Sequence, residues 1–260
     1  MKSSMRAMII TAVVMLGGTG GQGQAATIAD YFSEKGIPIE VSAGTDYYSK
    51  YVWRGMLLDD DSVLQPGVKV SVGNVTAGFW GSWDLESEDS RSSDEVDGYI
   101  DYSFDLGFLS PDYEKLGMSV GHTWYTFPET DFNAQEYYLG FSLDMFLSPS
   151  LTWYHDYSDE ATGGADGDYL IAAVKHSIPL SEKYGISLDI GQEAGYNDAY
   201  FIRGEGGYSL TKAGVSVPLS DNATISVNAG YSIPLGDLEA DDDGNYDDEF
   251  YYGAGMAFAF

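Results

Sequence analysis

The sequence predicts an all-β chain: a transmembrane, antiparallel, up-and-down β-barrel of about twelve strands. Three observations predict it. Apolar residues recur with a period of two from Ile37 to the last residue, the connections alternate between short and long, and aromatic residues gather at both ends of the apolar faces. A chain of 260 residues with 32 Gly, 21 Tyr and 8 Pro suits many short strands, and a mean hydropathy of −0.18 is what alternating faces average to. The formal charge of −29 argues against a nucleic-acid partner, because phosphate would be repelled. The absence of cysteine removes disulfides and thiolate metal sites.

The chain opens with Lys2 and Arg6, an apolar run from Ala7 to Leu16, and the small-residue pair Ala25-Ala26. Residues 1–26 read as a secretory signal peptide, since the apolar run is too short to span a bilayer. Residues 27–36 read as a short periplasmic leader, and the barrel occupies 37–260. Its strands are expected near 37–48, 64–72, 75–85, 95–106, 116–126, 135–144, 148–157, 168–180, 184–196, 205–219, 223–233 and 249–260. Alternation is interrupted at Arg203-Gly-Glu-Gly-Gly207, where a bulge or register change is expected.

Joints at Gly73-Asn74, 144–146, 181–183 and 220–222 are short, with 107–115 somewhat longer, while 49–62, 86–94, 127–134, 158–167, 197–204 and 234–248 are long and polar. A β-sandwich has no reason to sort its connections this way, whereas a membrane barrel has short turns at one rim and long loops at the other. The last strand puts Phe250, Tyr252, Met256, Phe258 and Phe260 on one face. It resembles the C-terminal assembly signal of bacterial outer-membrane barrels, which implies barrel-assembly machinery, outer-membrane lipid and lipopolysaccharide as partners.

The face opposite the apolar one is polar. Its candidate pore-lining residues are Asp46, Lys50, Arg54, Lys69, Trp80, Asp84, Asp97, Tyr99, Asp101, Asp105, Glu136, Tyr138, Asp189 and Glu193. Charges in a dry interior are costly, so the lumen is either watered or laced with ion pairs. Acids outnumber bases there, so a watered lumen favours cations. Arg54 shares inward parity with Asp46. It either pairs with Asp46 or caps loop carbonyls, or it forms part of a constriction.

The passage Tyr47-Tyr-Ser-Lys-Tyr-Val-Trp-Arg-Gly55 precedes a Gln65-Pro-Gly-Val68 strand. It resembles the Ser-x-Tyr-x-aromatic-Arg-Gly pattern of the bacterial TorF-like porin family. The similarity runs on through Gly78–Trp83, Glu95–Asp105 and Gly121–Tyr125. Trp53 stands at the family's aromatic position, and the acidic loop 237–249 is peculiar to this chain. The resemblance implies a barrel in the bacterial outer membrane with a porin role and no known substrate.

Barrels of this size include lipid hydrolases, but His122, His155 and His176 have no local Ser/His/acid grouping, so no catalytic residues and no cofactor are expected and the histidines read as interfacial. Glu239, Asp241 and Asp243 mimic the opening of an EF-hand, yet the twelfth position is Phe250 where a bidentate Glu is required. That leaves a solvated acidic loop, with weak Ca²⁺ or Mg²⁺ binding as the alternative. The sequence reading is therefore a non-enzymatic channel for small hydrophilic solutes or ions, preferring cations. The alternative is a closed structural or surface-interaction barrel acting through its acidic loops.

Overall fold

The computed structural model describes residues 32, 35–86, 94–128, 133–158, 166–198, 205–236 and 247–260. The expected signal peptide and most of the leader lie outside them. Among the described residues, fourteen strands are numbered in chain order, and twelve of them close one antiparallel cylinder. These are β1 (Ile39–Tyr48), β4 (Val63–Val72), β5 (Val75–Asp84), β6 (Glu95–Asp105), β7 (Leu116–Thr126), β8 (Asn133–Leu143), β9 (Ser150–Asp156), β10 (Asp168–Ser181), β11 (Ile186–Asp198), β12 (Glu205–Ser220), β13 (Ala223–Gly236) and β14 (Glu249–Ala259). Closure comes from β1, which pairs with β4 on one side and β14 on the other. The remaining two strands, β2 (Tyr51–Trp53) and β3 (Met56–Asp59), pair only with each other.

Alternation sorts the side chains into two environments. Outward positions carry Phe79, Trp83, Trp124, Trp153, Tyr196, Val227, Tyr231, Phe250 and Tyr252, all exposed. Inward positions carry Glu95, Asp97, Glu136, Asp156, Asn197 and Ser232, all buried. That is a water-soluble protein turned inside out, and only lipid removes the outer apolar surface from water. Every backbone polar group of a closed barrel finds a partner in the next strand, which is what a hydrocarbon environment demands.

On the inner wall, tyrosines fill the space above cross-strand glycines. Tyr99 lies over Gly78, Tyr138 over Gly121, Tyr208 over Gly195, Tyr251 over Gly230 and Tyr48 over Gly253, and each tyrosine sits opposite its glycine in the register. Glycine has no Cβ, so the ring of the neighbouring strand can lie flat along the wall.

Of the stretch 203–207, where a bulge or register change is expected, only 205–207 are described, and they show none. From Glu205 onward β12 pairs with β11 in unbroken register, and Arg203 and Gly204 lie outside the described residues. The irregularities fall instead at Pro179–Ser181 and Pro218–Ser220, near the short-turn rim. Pro66 and Pro234 stand in unbroken register, so a missing N–H alone does not shift the ladder; both shifts fall within the last residues before a short turn. The span 49–62, expected as a loop, contains the β2–β3 hairpin.

Candidate functional site

The hairpin folds into the barrel. Its turn is Arg54-Gly55, with φ of 48° and 85°. Positive φ at both central residues is the mark of a type I′ turn, the hairpin geometry that matches strand twist. Gly55 is required twice over: it takes the left-handed conformation, and a Cβ there would lie 2.6 Å from Cβ of Tyr208 on β12. Arg54 has no such ease and is held in place by its contacts.

Those contacts fall on three adjacent barrel strands, β8, β9 and β10. The Arg54 guanidinium donates to both oxygens of Glu136 on β8, at 3.0 and 3.2 Å, and lies over the rings of Tyr154 (3.9 Å), Trp53 (4.3 Å) and Tyr169 (5.3 Å). Tyr169 donates to the Arg54 carbonyl at 2.9 Å, and Tyr125 donates to Glu136 at 2.8 Å. Arg54 is 9% and Glu136 1% exposed, so this is a buried bidentate pair with further donors and rings around it. Tyr51 donates to Glu95 at 2.9 Å and packs on Trp80. Burial, then the charges of Glu95 and Asp97, hold the Tyr51 phenol well above its ordinary range, so it stays a donor. Lys50 donates to Glu249 at 2.6 Å, and Val52 and Trp53 pack against the cluster of Tyr169, Tyr208, Leu210 and Tyr251.

Toward the short-turn rim from the hairpin lies a cavity of about 690 Å³. Trp80, Tyr99 and Tyr138 line one part of its wall, and Lys175, Asp189 and Lys212 line another. Asp97 also borders it, 6% exposed, with Oδ1 lacking a hydrogen-bond partner.

The structure distributes the sequence-selected residues over three levels. Arg54 and Glu136 anchor the hairpin, Lys50 braces its first strand, and Trp80 packs on it. Around the cavity, Asp97, Tyr99, Tyr138 and Asp189 line the wall. Asp101 accepts from Tyr138 at 2.8 Å, Asp189 from Ser216 at 2.7 Å, and Glu193 from Tyr208. Asp46 lies against Gly255, and Lys69 faces Ser42 and Gly78 in the register. At the rims, Asp84 accepts the Glu86 N–H and Asp105 caps the turn at Gly107, which makes both turn residues outside the cavity wall.

One expectation needs correction: the carboxylate that Arg54 pairs with is that of Glu136, not Asp46. The turn carries the guanidinium across the lumen to β8, whereas Asp46 stays on β1 against Gly255. The sequence reading also passed over Glu95, Tyr169, Tyr208 and Glu249. Tyr169 and Tyr208 were within reach, since steps of two from Lys175 and Lys212 arrive at them.

The three histidines belong to the outer wall. His122 meets the Tyr157 hydroxyl at 2.6 Å, His155 contacts Asp168 at 3.1 Å, and His176 packs on Phe146. Glu239, Asp241 and Asp243 lie outside the described residues.

Among solved structures, the chain is similar to the KdgM porin, with 12% identity, a TM-score of 0.54, and coverage of 85% of this chain and 99% of that one. An outer membrane channel from Pseudomonas putida F1 matches at 9% identity and a TM-score of 0.48, covering 86% and 96%, too loosely to carry an argument. At such identities the first likeness shows the fold, a barrel of the outer-membrane kind. No curated protein matches the sequence. Residues 33–242 match the family described as "Bacterial protein of unknown function (Gcw_chp)", and the chain belongs to that family.

Proposed function

We propose that this protein is a porin-like channel of the bacterial outer membrane, passing small hydrophilic solutes or ions, with the β2–β3 hairpin as its constriction. The observation that carries the reading is the open cavity inside the closed wall, directly beside the hairpin, with Lys175, Asp189 and Lys212 among the residues that line it. A barrel with a purely structural role would fill that volume with side chains. The resemblance of Tyr47–Gly55 to the TorF-like porins supports it, and that resemblance centres on the very turn that enters the lumen.

Inward acids outnumber inward bases, and the field of the whole chain is strongly negative. We infer a preference for cations among simple salt ions. Refolded protein in a planar bilayer under a KCl gradient tests this: steps with a cation-selective reversal potential support it, and an anion-selective one refutes the preference.

One observation favours the second reading, a closed barrel that works through its outer surface. The hairpin is tied to β6, β8 and β10 by hydrogen bonds from Tyr51, Arg54 and Tyr169. A plug held that firmly would give no current in the wild type.

A further inference from the structure

Across β10, β11 and β12 the register places Lys175 opposite Gly191 and Gly191 opposite Lys212. Both lysines line the cavity, and so does Gly191. On the other side of Lys212 stands Gly230, whose space is taken by Tyr251. Gly191 has no such filler: a Cβ there would meet only the Val174 carbonyl, at 3.5 Å. The row therefore sets two cavity-lining lysines on either side of an open gap.

The nearby carboxylates do not close it. Asp189, two residues one way along β11, accepts from Ser216 at 2.7 Å and from Ser187. Glu193, two residues the other way, accepts from the Tyr208 hydroxyl. Neither lysine forms an ion pair among the described residues. Both lysines are exposed to the lumen, and their ammonium groups are free of hydrogen bonds to these carboxylates, so both can turn toward an oxyanion that enters the cavity.

We propose that Lys175, Gly191 and Lys212 form a subsite for an oxyanion, the carboxylate or phosphate group of a small hydrophilic solute that enters the cavity. The subsite gives the proposed channel a solute class. It rests on that reading only for transport, since binding needs access to the cavity and no current. Planar carboxylates and tetrahedral phosphates both accept from two ammonium groups at once, with the glycine leaving room for the oxygens.

The test is calorimetric titration of the protein refolded in detergent with inorganic phosphate and with succinate, and with erythritol as the uncharged control. Wild type should bind both anions and not erythritol. Lys175→Met and Lys212→Met should each weaken binding by about tenfold or more, while Lys69→Met, an inward lysine away from the cavity wall, should leave it unchanged. Gly191→Asp fits the space sterically and offers the lysines an internal carboxylate, so it should abolish binding while Gly191→Ala largely keeps it. This pair covers the case in which the lysine variants fail to refold. Absence of phosphate and succinate binding in the wild type, or equal binding in Gly191→Asp, would overturn the proposal. Anion binding in a protein that passes no current would leave the subsite standing and remove the channel.

Discussion

At the scale of single residues, the lumen is governed by whether each inward polar group has a partner. Glu136 accepts from Arg54 twice and from Tyr125 once. Removing the cation breaks a buried, bidentate ion pair, so Arg54→Ala should destabilise the barrel by about 3–5 kcal/mol. Urea unfolding in detergent, followed by tryptophan fluorescence, measures it, and a change below about 1 kcal/mol would mean that Glu136 finds other donors or water. The glycine–tyrosine pairs are the apolar counterpart. A methyl at Gly121 would meet the ring of Tyr138, so Gly121→Ala should cost about 1–3 kcal/mol, whereas Gly191→Ala, with open space, should cost little. The Arg54–Glu136 pair illustrates what local spacing hides: the partners are 82 residues apart and meet only because the turn crosses the lumen.

At the scale of elements, the barrel strands were largely legible and the hairpin was not. Twelve runs of period-two alternation correspond to the twelve barrel strands, because one face must satisfy lipid and the other a polar lumen. The hairpin strands are three and four residues long, too short to display a period, and their turn puts an arginine where asparagine or glycine is usual. What fixes the hairpin is its surroundings: Tyr208 under Gly55, Glu136 around Arg54 and Glu95 on Tyr51. The register shifts were not legible either. A glycine-rich stretch suggests flexibility, but the shifts fall beside the short turns at Pro179–Ser181 and Pro218–Ser220, while Pro66 and Pro234 keep the register and so give no general signal. Gly55→Val combines a forbidden φ with a clash on Tyr208 and should expel the turn from the lumen. The expected readout is a larger single-channel conductance with the strand content by circular dichroism unchanged. Unchanged conductance would mean that the hairpin is not the constriction.

At the scale of the whole molecule, a cylinder with an apolar outer wall contains an open cavity beside an inward hairpin. Asp101 accepts from Tyr138 of the cavity wall, so Asp101→Asn should lower the cation-to-anion permeability ratio read from the reversal potential. Lys175→Met and Lys212→Met should raise it. A ratio that ignores all three changes would separate the selectivity from this part of the lumen. The central claim, that the lumen is a solute path narrowed by residues 51–59, is tested most directly by comparing the wild type with a variant whose residues 51–59 are replaced by a short Gly-Ser linker, in planar bilayers at equal KCl. The account predicts small steps for the wild type and larger steps for the variant. A folded, inserted variant that still carries no current would contradict it and leave a closed barrel.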